Sequence, residues 1–363
     1  MRQKNRSLIS IVGLATSLLI GSTVVSTATD TNSTKTNEVK RTGGDVVIQI
    51  PSVPTPIKPI EVTTVGGNAP VEENIDKYKL RAMAMSGNRP PEAKSGDKLA
   101  KSTGEAKVGD VQNSRVSSYL RGKIQSLQSV TKLLKDANFR VLSTMKIDKK
   151  GKLISIVFTN DALTKMADKN NRGFAGTIRV LINQKDNEIA FNNPLYLSKA
   201  FMQDDFDPKV VNEVLDSIRK AFPNLTNCND KLKFNLLPKY HFMASMPYYQ
   251  DMIILAKADN NKALLDSIKT KKQKKILFRH QISKERMVIG IKLSKRTSKF
   301  INKIGTKNSQ LLPYPILIEN GEAKIMDPKY YIAIMYPELK MSEFMTIATI
   351  PDAIESDSKK IFR

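Results

Sequence analysis

From about Arg115 onward the apolar residues switch between two periods, and the switches mark out elements. Tyr119, Ile124, Leu127, Val130, Leu133 and Leu134 recur at three-to-four spacing, which predicts an amphipathic helix ending near Asn138. Alternation then takes over: Arg140 to Ile147 and Leu153 to Thr159 read as strands around the turn Asp148-Lys149-Lys150-Gly151. Asn160 can accept the free amides of a short helix running through Met166 and Ala167. Thr177 to Asn183 and Glu188 to Asn192 form a second hairpin around Lys185-Asp186-Asn187, and Pro194 closes the unit. Asp207 before Pro208 starts a further helix, because Asp bonds exposed amides and Pro has none to leave unbonded at the first position. Val211, Val214, Leu215, Ile218 and Phe222 give it an apolar face, and it ends at Pro223.

A second passage follows in the same order. Asp251 to Ala258 reads as a strand and Lys262 to Lys269 as a helix with Ala263, Leu264, Leu265 and Ile268 on one side. Lys275 to Gln281 and Met287 to Leu293 are a strand pair, Ser294 to Ile304 a helix. Leu312 to Ile318 and Ala323 to Met326 form the last hairpin around Glu319-Asn320-Gly321-Glu322, and Pro328 closes it.

Setting Pro194 against Pro328 places Asn193 opposite Asp327, Ile189 opposite Ala323 and Phe191 opposite Ile325. Ile178, Val180 and Ile182 then meet Tyr314, Ile316 and Ile318 if the second turn is two residues shorter. An even difference keeps every side chain on its sheet face. Asn160 matches Ser294 as a cap, and Met166 matches Phe300 on the buried stripe. The pattern predicts an internal duplication.

Leu311-Leu312-Pro313-Tyr314-Pro315-Ile316-Leu317-Ile318-Glu319-Asn320-Gly321, followed by Ile325-Met326-Asp327-Pro328, resembles the closing hairpin of the domain of unknown function 302 family. In that family a Leu-Pro-Cys precedes the strand, a Gly sits in the turn, and Asn/Asp-Pro follows. Here Tyr314 stands for the Cys, and the first passage has Thr177-Ile178-Arg179 at that place, keeping only Asn193-Pro194. The resemblance covers about 115–205 and 250–345. It implies an α+β fold and paired domains, but carries no reaction, and any thiol or metal role of the family Cys is missing from both copies.

The resulting expectation is an α+β chain of two tandem β-α-β-β-α-β-β domains, at 115–230 with a C-terminal helix and at 231–363, after a disordered tether over 29–114. The tether is rich in Thr, Ser, Asn, Gly, Pro and Lys and lacks apolar periodicity. Within it Asp45-Val46-Val47-Ile48-Gln49-Ile50 has strand character, and Pro51, Pro54, Pro56 and Pro59 hold the following backbone extended. That stretch is a stiff linker, a docking segment or a partner-binding strand. At the start, Arg2, Lys4 and Arg6 precede the uncharged apolar run Leu8 to Ile20, and Ser26-Thr27-Ala28 supplies small residues. This reads as a secretory signal peptide over 1–28, sending the protein to the periplasm or out of the cell. An uncleaved membrane anchor is the alternative, because Leu8 to Val25 approaches the span of a thin bilayer.

Charge enters at this point: 59 Lys and Arg against 35 Asp and Glu give a formal +24 over 363 residues. Signal cleavage would remove only Arg2, Lys4 and Arg6, so the excess belongs to the exported part. Nucleic acid is the usual partner of such a charge, but export speaks against it, as does the lack of aromatic interleaving. Lys269, Lys271, Lys272, Lys274, Lys275, Arg279, Lys284 and Arg286 form the densest run, with Phe278 its one aromatic and Glu285 its one acid. Lys271, Lys272, Lys274, Lys275 and Arg279 are the candidate anion-binding residues, for an acidic partner or an anionic membrane surface; a merely solvated face is the alternative.

One Cys and two His exclude a disulfide framework, a Cys-rich zinc site and a three-His centre. His241, Met243 and Met246 are a candidate copper set, since imidazole and thioether suit that metal. On a strand His241 and Met243 share a face and Met246 opposes them, so the three meet only if the chain bends before Pro247. Methionine as a filler of core gaps is the competing account. Cys228 lies in a linker, where it can pair between chains or react. His280 is expected on a polar strand face; Asp207 is a helix cap, and Asp204 and Asp205 are solvated. With no Gly-rich phosphate loop, Ser-His-Asp pattern or HExxH, no catalytic residue and no cofactor is indicated, and the expectation is a non-enzymatic binding protein. The groove between its domains is the default ligand site, and a homodimer is one arrangement that paired domains allow.

Overall fold

The structure is a computed structural model that describes residues 106–363. The expected signal segment, the Asp45 to Ile50 strand and nearly all of the expected tether lie outside the described residues. Chain packing begins before Arg115: Gly109 N–H donates to Asn227 Oδ1 at 2.7 Å, and Arg219 Nε donates to Val108 O at 2.6 Å.

β1 (Arg115–Ser117) pairs antiparallel with the later β8 (Lys231–Lys233). The first half then runs β2 (Tyr119–Lys123), α1 (Leu127–Asp136), β3 (Arg140–Lys146), β4 (Leu153–Thr159), α2 (Asp161–Met166), β5 (Ile178–Asn183) and β6 (Glu188–Asn192), followed by α3 (Pro194–Met202), α4 (Pro208–Ala221) and β7 (Thr226–Asn227). Its sheet order is β3-β4-β5-β6-β2-β7, with antiparallel neighbours throughout. The second half runs β9 (Ile253–Lys257), α5 (Asn261–Asp266), α6 (Thr270–Gln273), β10 (Ile276–Ser283), β11 (Arg286–Ile291), α7 (Ile301–Ile304), β12 (Tyr314–Glu319) and β13 (Glu322–Ile325). α8 (Pro328–Met335), α9 (Met341–Met345) and α10 (Ile350–Lys359) complete it. Its sheet is β10-β11-β12-β13-β9, the order of the first sheet without the added β7. The fold is α+β, and each half follows the β-α-β-β-α-β-β succession.

Local chemistry sets several boundaries. Asn160, Asn260, Asp207 and Ser126 all accept amide hydrogens at helix starts. The β12–β13 turn is Asn320-Gly321, both at positive φ (54° and 72°), as a tight two-residue hairpin requires. Gly321 is fixed twice over, because a Cβ there would sit 2.2 Å from Ala258 O. This turn is two residues shorter than the one between β5 and β6, so the two hairpins keep the same faces.

Three expectations are corrected. The helix predicted from Tyr119 begins only at Leu127: Tyr119 to Lys123 bonds to β6, and Tyr119 and Leu120 are buried on opposite faces of a strand. Apolar spacing across a strand, a turn and a helix mimicked one long helical stripe. Pro194 and Pro328 do not close their units; each opens a helix at its first position, behind Asn193 and Asp327 as caps. α3 and α8 are apolar on nearly every side and buried on nearly every side, so they carry no amphipathic period. The stretch Ser294 to Ile304 is a 3-10 turn (Thr297–Phe300) leading into the single turn α7, with Ser294 Oγ accepting from Thr297 N–H at 3.1 Å.

The halves are interleaved. The 3-10 turn Gly173–Gly176 of the first packs on β11 and β12, and the 3-10 turn Ser309–Leu311 of the second packs on β4 and β5. Between them Tyr196 of α3 donates to Ile334 O at 2.8 Å, and Tyr119 donates to Met335 O at 2.5 Å, both on α8. The expected groove between domains is thus filled by these two exchanged turns. A surface hollow of about 370 Å³, lined by Gly122, Lys123, Ile189, Phe222, Pro223 and Leu225 among others, lies wholly on the first half.

Candidate functional site

The five predicted anion-binding residues fall on α6 (Lys271, Lys272), on the turn that follows it (Lys274, Lys275) and in the middle of β10 (Arg279). Lys271, Lys274 and Arg279 are exposed, Lys272 and Lys275 half-buried. Strand alternation turns Arg279 outward while Phe278 and His280 point in. Arg279 donates to the Gln273 side-chain oxygen, and Arg286 is the one cation of the run with acid partners among the described residues: Nη1 lies 2.7 Å from Asp168 Oδ1 and Nε 3.2 Å from Glu319 Oε2. β10 is an edge strand running close to β3, the edge of the other sheet, without bonding to it. The large apolar side chains that are exposed, such as Leu236, Met243, Ile254 and Met345, all lie outside 269–286.

The candidate metal set is not on a strand. Residues 240–252 form an irregular loop after the 3-10 turn Phe234–Lys239, because Met246 N–H turns back to Met243 O at 2.9 Å. His241 Nδ1 is 2.7 Å from Met243 O, its ring lies 4.7 Å from that of Tyr248, and Met243 is exposed. Among the described residues no group of three or more His, Cys, Asp and Glu side chains gathers at metal-binding distance. Asp205 is not simply solvated: Lys169 Nζ at 3.0 Å and Arg172 Nε at 2.9 Å bind it and hold its carboxyl below the usual range. Cys228 is buried, its sulfur 3.3 Å from Tyr119 N, which leaves no route for pairing between folded chains.

The sequence reading passed over the polar groups sealed between the halves. His280, expected on a polar face, is 4 % exposed, with Nε2 3.3 Å from Thr164 Oγ1 of α2. Burial, with help from nearby Arg140, pushes its pKa down from 6.5 to about 4. Glu319 is wholly enclosed: Lys324 Nζ (2.8 Å) and Asn171 N–H (3.0 Å) bind Oε1, while Arg286 Nε holds Oε2. Lys324 also reaches Asn171 Oδ1 at 2.7 Å, and Tyr249 donates to Asn171 O at 2.5 Å. The carboxylate therefore has two cations and an amide around it, as a buried charge needs.

Arg179 of β5 is 2 % exposed and sits inside the apolar run Ile178 to Ile182. A lone Arg in such a run was the signal available in the sequence. Nη2 donates to Pro313 O at 3.3 Å, the Tyr331 hydroxyl lies against the guanidinium, Nε has no partner, and no ion pair reaches the group among the described residues. The same face carries further unbonded atoms: Ser155 Oγ, Thr177 Oγ1 and Asn192 Oδ1 from the first sheet, Ser309 Oγ and Gln310 Oε1 from the turn that covers it.

Among the described residues no helix is long and apolar enough to cross a membrane. The chain matches no protein-family profile, no curated protein and no solved structure.

Proposed function

We propose that the protein is an exported, non-enzymatic binding protein that docks on an acidic macromolecular partner through the basic edge of α6 and β10. The observation carrying this reading is a set of exposed cations, Lys271, Lys274 and Arg279 with Lys272 and Lys275 beside them, that no acid of the described residues neutralises. Some cations elsewhere on the surface do find partners, as Lys132 does with Asp136 and Lys262 with Asp266, both at 2.6 Å, but the run from Lys271 to Arg279 concentrates unpaired ones. Clustered charge of one sign steers an oppositely charged partner and gives salt-sensitive binding. An acidic polypeptide is favoured over a bilayer because the run carries no exposed apolar anchor. The kinship with the domain of unknown function 302 family, and the origin of the two halves by duplication, belong to the same proposal; the shared strand order supports the duplication.

The test is retention on immobilised polyglutamate over a salt gradient, comparing wild type with a variant carrying Lys271→Glu, Lys272→Glu, Lys274→Glu and Lys275→Glu. Rim charges worth a few tenths of a kcal/mol each predict a loss of about tenfold or more at low salt. Equal retention of the two proteins refutes the docking edge. Stronger binding to anionic phosphatidylglycerol vesicles than to polyglutamate transfers the reading to a membrane surface, and stoichiometric copper lost on His241→Ala transfers it to metal handling.

A further inference from the structure

The Arg179 cluster asks for something the described chain does not supply. A guanidinium cannot shed its proton, so burial cannot neutralise it as it neutralises a His or Lys. Enclosing it without a counter-charge costs several kcal/mol, and the ordinary remedy is a carboxylate in contact. The strand register shows what surrounds it instead. Val157 is its cross-strand neighbour on β4; on the β6 side, one step past the Val180–Phe191 pair, stands Asn192, itself paired with Tyr119. Ser155 and Thr177, each two residues along its strand from that row, point from the same face. The lid is the 309–313 segment, which offers the carbonyl of Pro313 and the side chains of Ser309 and Gln310.

The inventory is rich in donors. Arg179 Nε–H is free, as is the hydroxyl of Ser309 in the covering turn; Ser155 and Thr177 stand on opposite sides of Arg179 along the sheet, so only one of these two hydroxyls can share an occupant with it. The unbonded Asn192 Oδ1 exchanges with Nδ2 on a half-turn of the amide, at the expense of only a 3.9 Å contact to Met335 Sδ. Every one of these side chains is buried, so an occupant is small and enclosed. We propose that a monovalent inorganic anion of halide size resides between β5 and the 309–313 segment, held by the Arg179 guanidinium and the hydroxyls around it. It acts as a structural counter-ion locking the second half's turn onto the first half's sheet. The site is separate from the exposed basic edge, and neither depends on the other.

Thermal unfolding of the full chain tests this, with sodium chloride titrated against sodium gluconate at constant ionic strength, gluconate being too large to be enclosed. Wild type is expected to gain a few degrees with chloride and to saturate, as a ligand of the native state does. Arg179→Met, close in length and uncharged, is expected to show no gain, while the four-lysine variant of the basic edge keeps the wild-type response. Equal responses of wild type and Arg179→Met, or no response from wild type, overturn the proposal. If Arg179→Met fails to fold, the wild-type titration is repeated with bromide and fluoride. A saturating gain with bromide that fluoride does not match supports the site, and identical curves for the two halides overturn it.

Discussion

Glu319 and Arg179 lie on corresponding strands, β12 and β5, on the faces their sheets turn toward the opposite half. Each is sealed by the other half's chain, yet Glu319 meets Lys324, Arg286 and an amide from the turn above it, whereas Arg179 meets only neutral groups, the Pro313 carbonyl and the Tyr331 hydroxyl. The residues at the corresponding places explain the asymmetry. At the position of Arg179 the second sheet carries Pro315, and at the position of Glu319 the first carries Asn183, which is satisfied locally by Asp186. One topology therefore tolerates two solutions to charge at the seam, one closed within the protein and one left to an ion. A shared strand order fixes where a face is covered, while individual side chains decide whether its charge is balanced.

The largest effect that sharpens this contrast is Glu319→Gln. It leaves buried Lys324 with only the more distant carboxylate of Glu322, at 3.8 Å, and is expected to cost about 3 kcal/mol in urea unfolding, because breaking a buried ion pair leaves its partner poorly compensated. A loss below about 1 kcal/mol would place Glu319 with ordinary surface pairs. His280 tests the same seam through pH. Its folded pKa, near 4, lies below the 6.5 of the unfolded chain, so the unfolded state takes up a proton first as pH falls. The stability is whole above about pH 6.5 and is lost as pH drops toward 4, by up to about 3 kcal/mol. Urea midpoints measured across that window are expected to fall for wild type and to flatten in His280→Gln; parallel curves would remove His280 as the cause.

The helix caps behind the two prolines give a smaller version of the comparison. Asn193 accepts from Leu195 N–H and donates to Gly109 O and Ser117 O, both at 2.9 Å, whereas Asp327 accepts from Lys329 N–H at 2.7 Å. Asn193→Ala is expected to cost about 2 kcal/mol and Asp327→Ala about 1, since the first loses two buried hydrogen bonds as well as a cap. Equal costs would show that the bonds from Asn193 to Gly109 O and Ser117 O add nothing to stability. Arg179→Met runs the other way: in gluconate its thermal midpoint is expected to equal or exceed that of wild type, because the substitution removes an unbalanced buried charge, and a clear loss would show that the charge is balanced.

How much of this the sequence disclosed depends on what each element packs against. The hairpins were legible because a strand with one helix-covered face alternates, and because Asn320-Gly321 and Lys185-Asp186-Asn187 punctuate them. α3 and α8 were not, since enclosure on all sides leaves no period to detect, and their prolines signalled a stop that is in fact a start. The basic run was visible as composition, and the structure leaves Lys271, Lys274 and Arg279 exposed with Lys272 and Lys275 half-buried beside them. Arg179 and His280 stood in strands that were read, and Glu319, read as the first residue of a turn, is the last of its strand, but which half covers which face is a property of the interleaving and not of any local pattern. The exchange of the 173–176 and 309–311 turns joins residues more than a hundred positions apart.

The account rests most heavily on an occupant beside Arg179, and crystals of the wild-type protein grown in sodium bromide examine it directly. An anomalous difference peak within hydrogen-bonding distance of Arg179 Nε, beneath the 309–313 segment, is the predicted result. Ordered water alone at that place, or an acidic side chain of the chain itself, would contradict it.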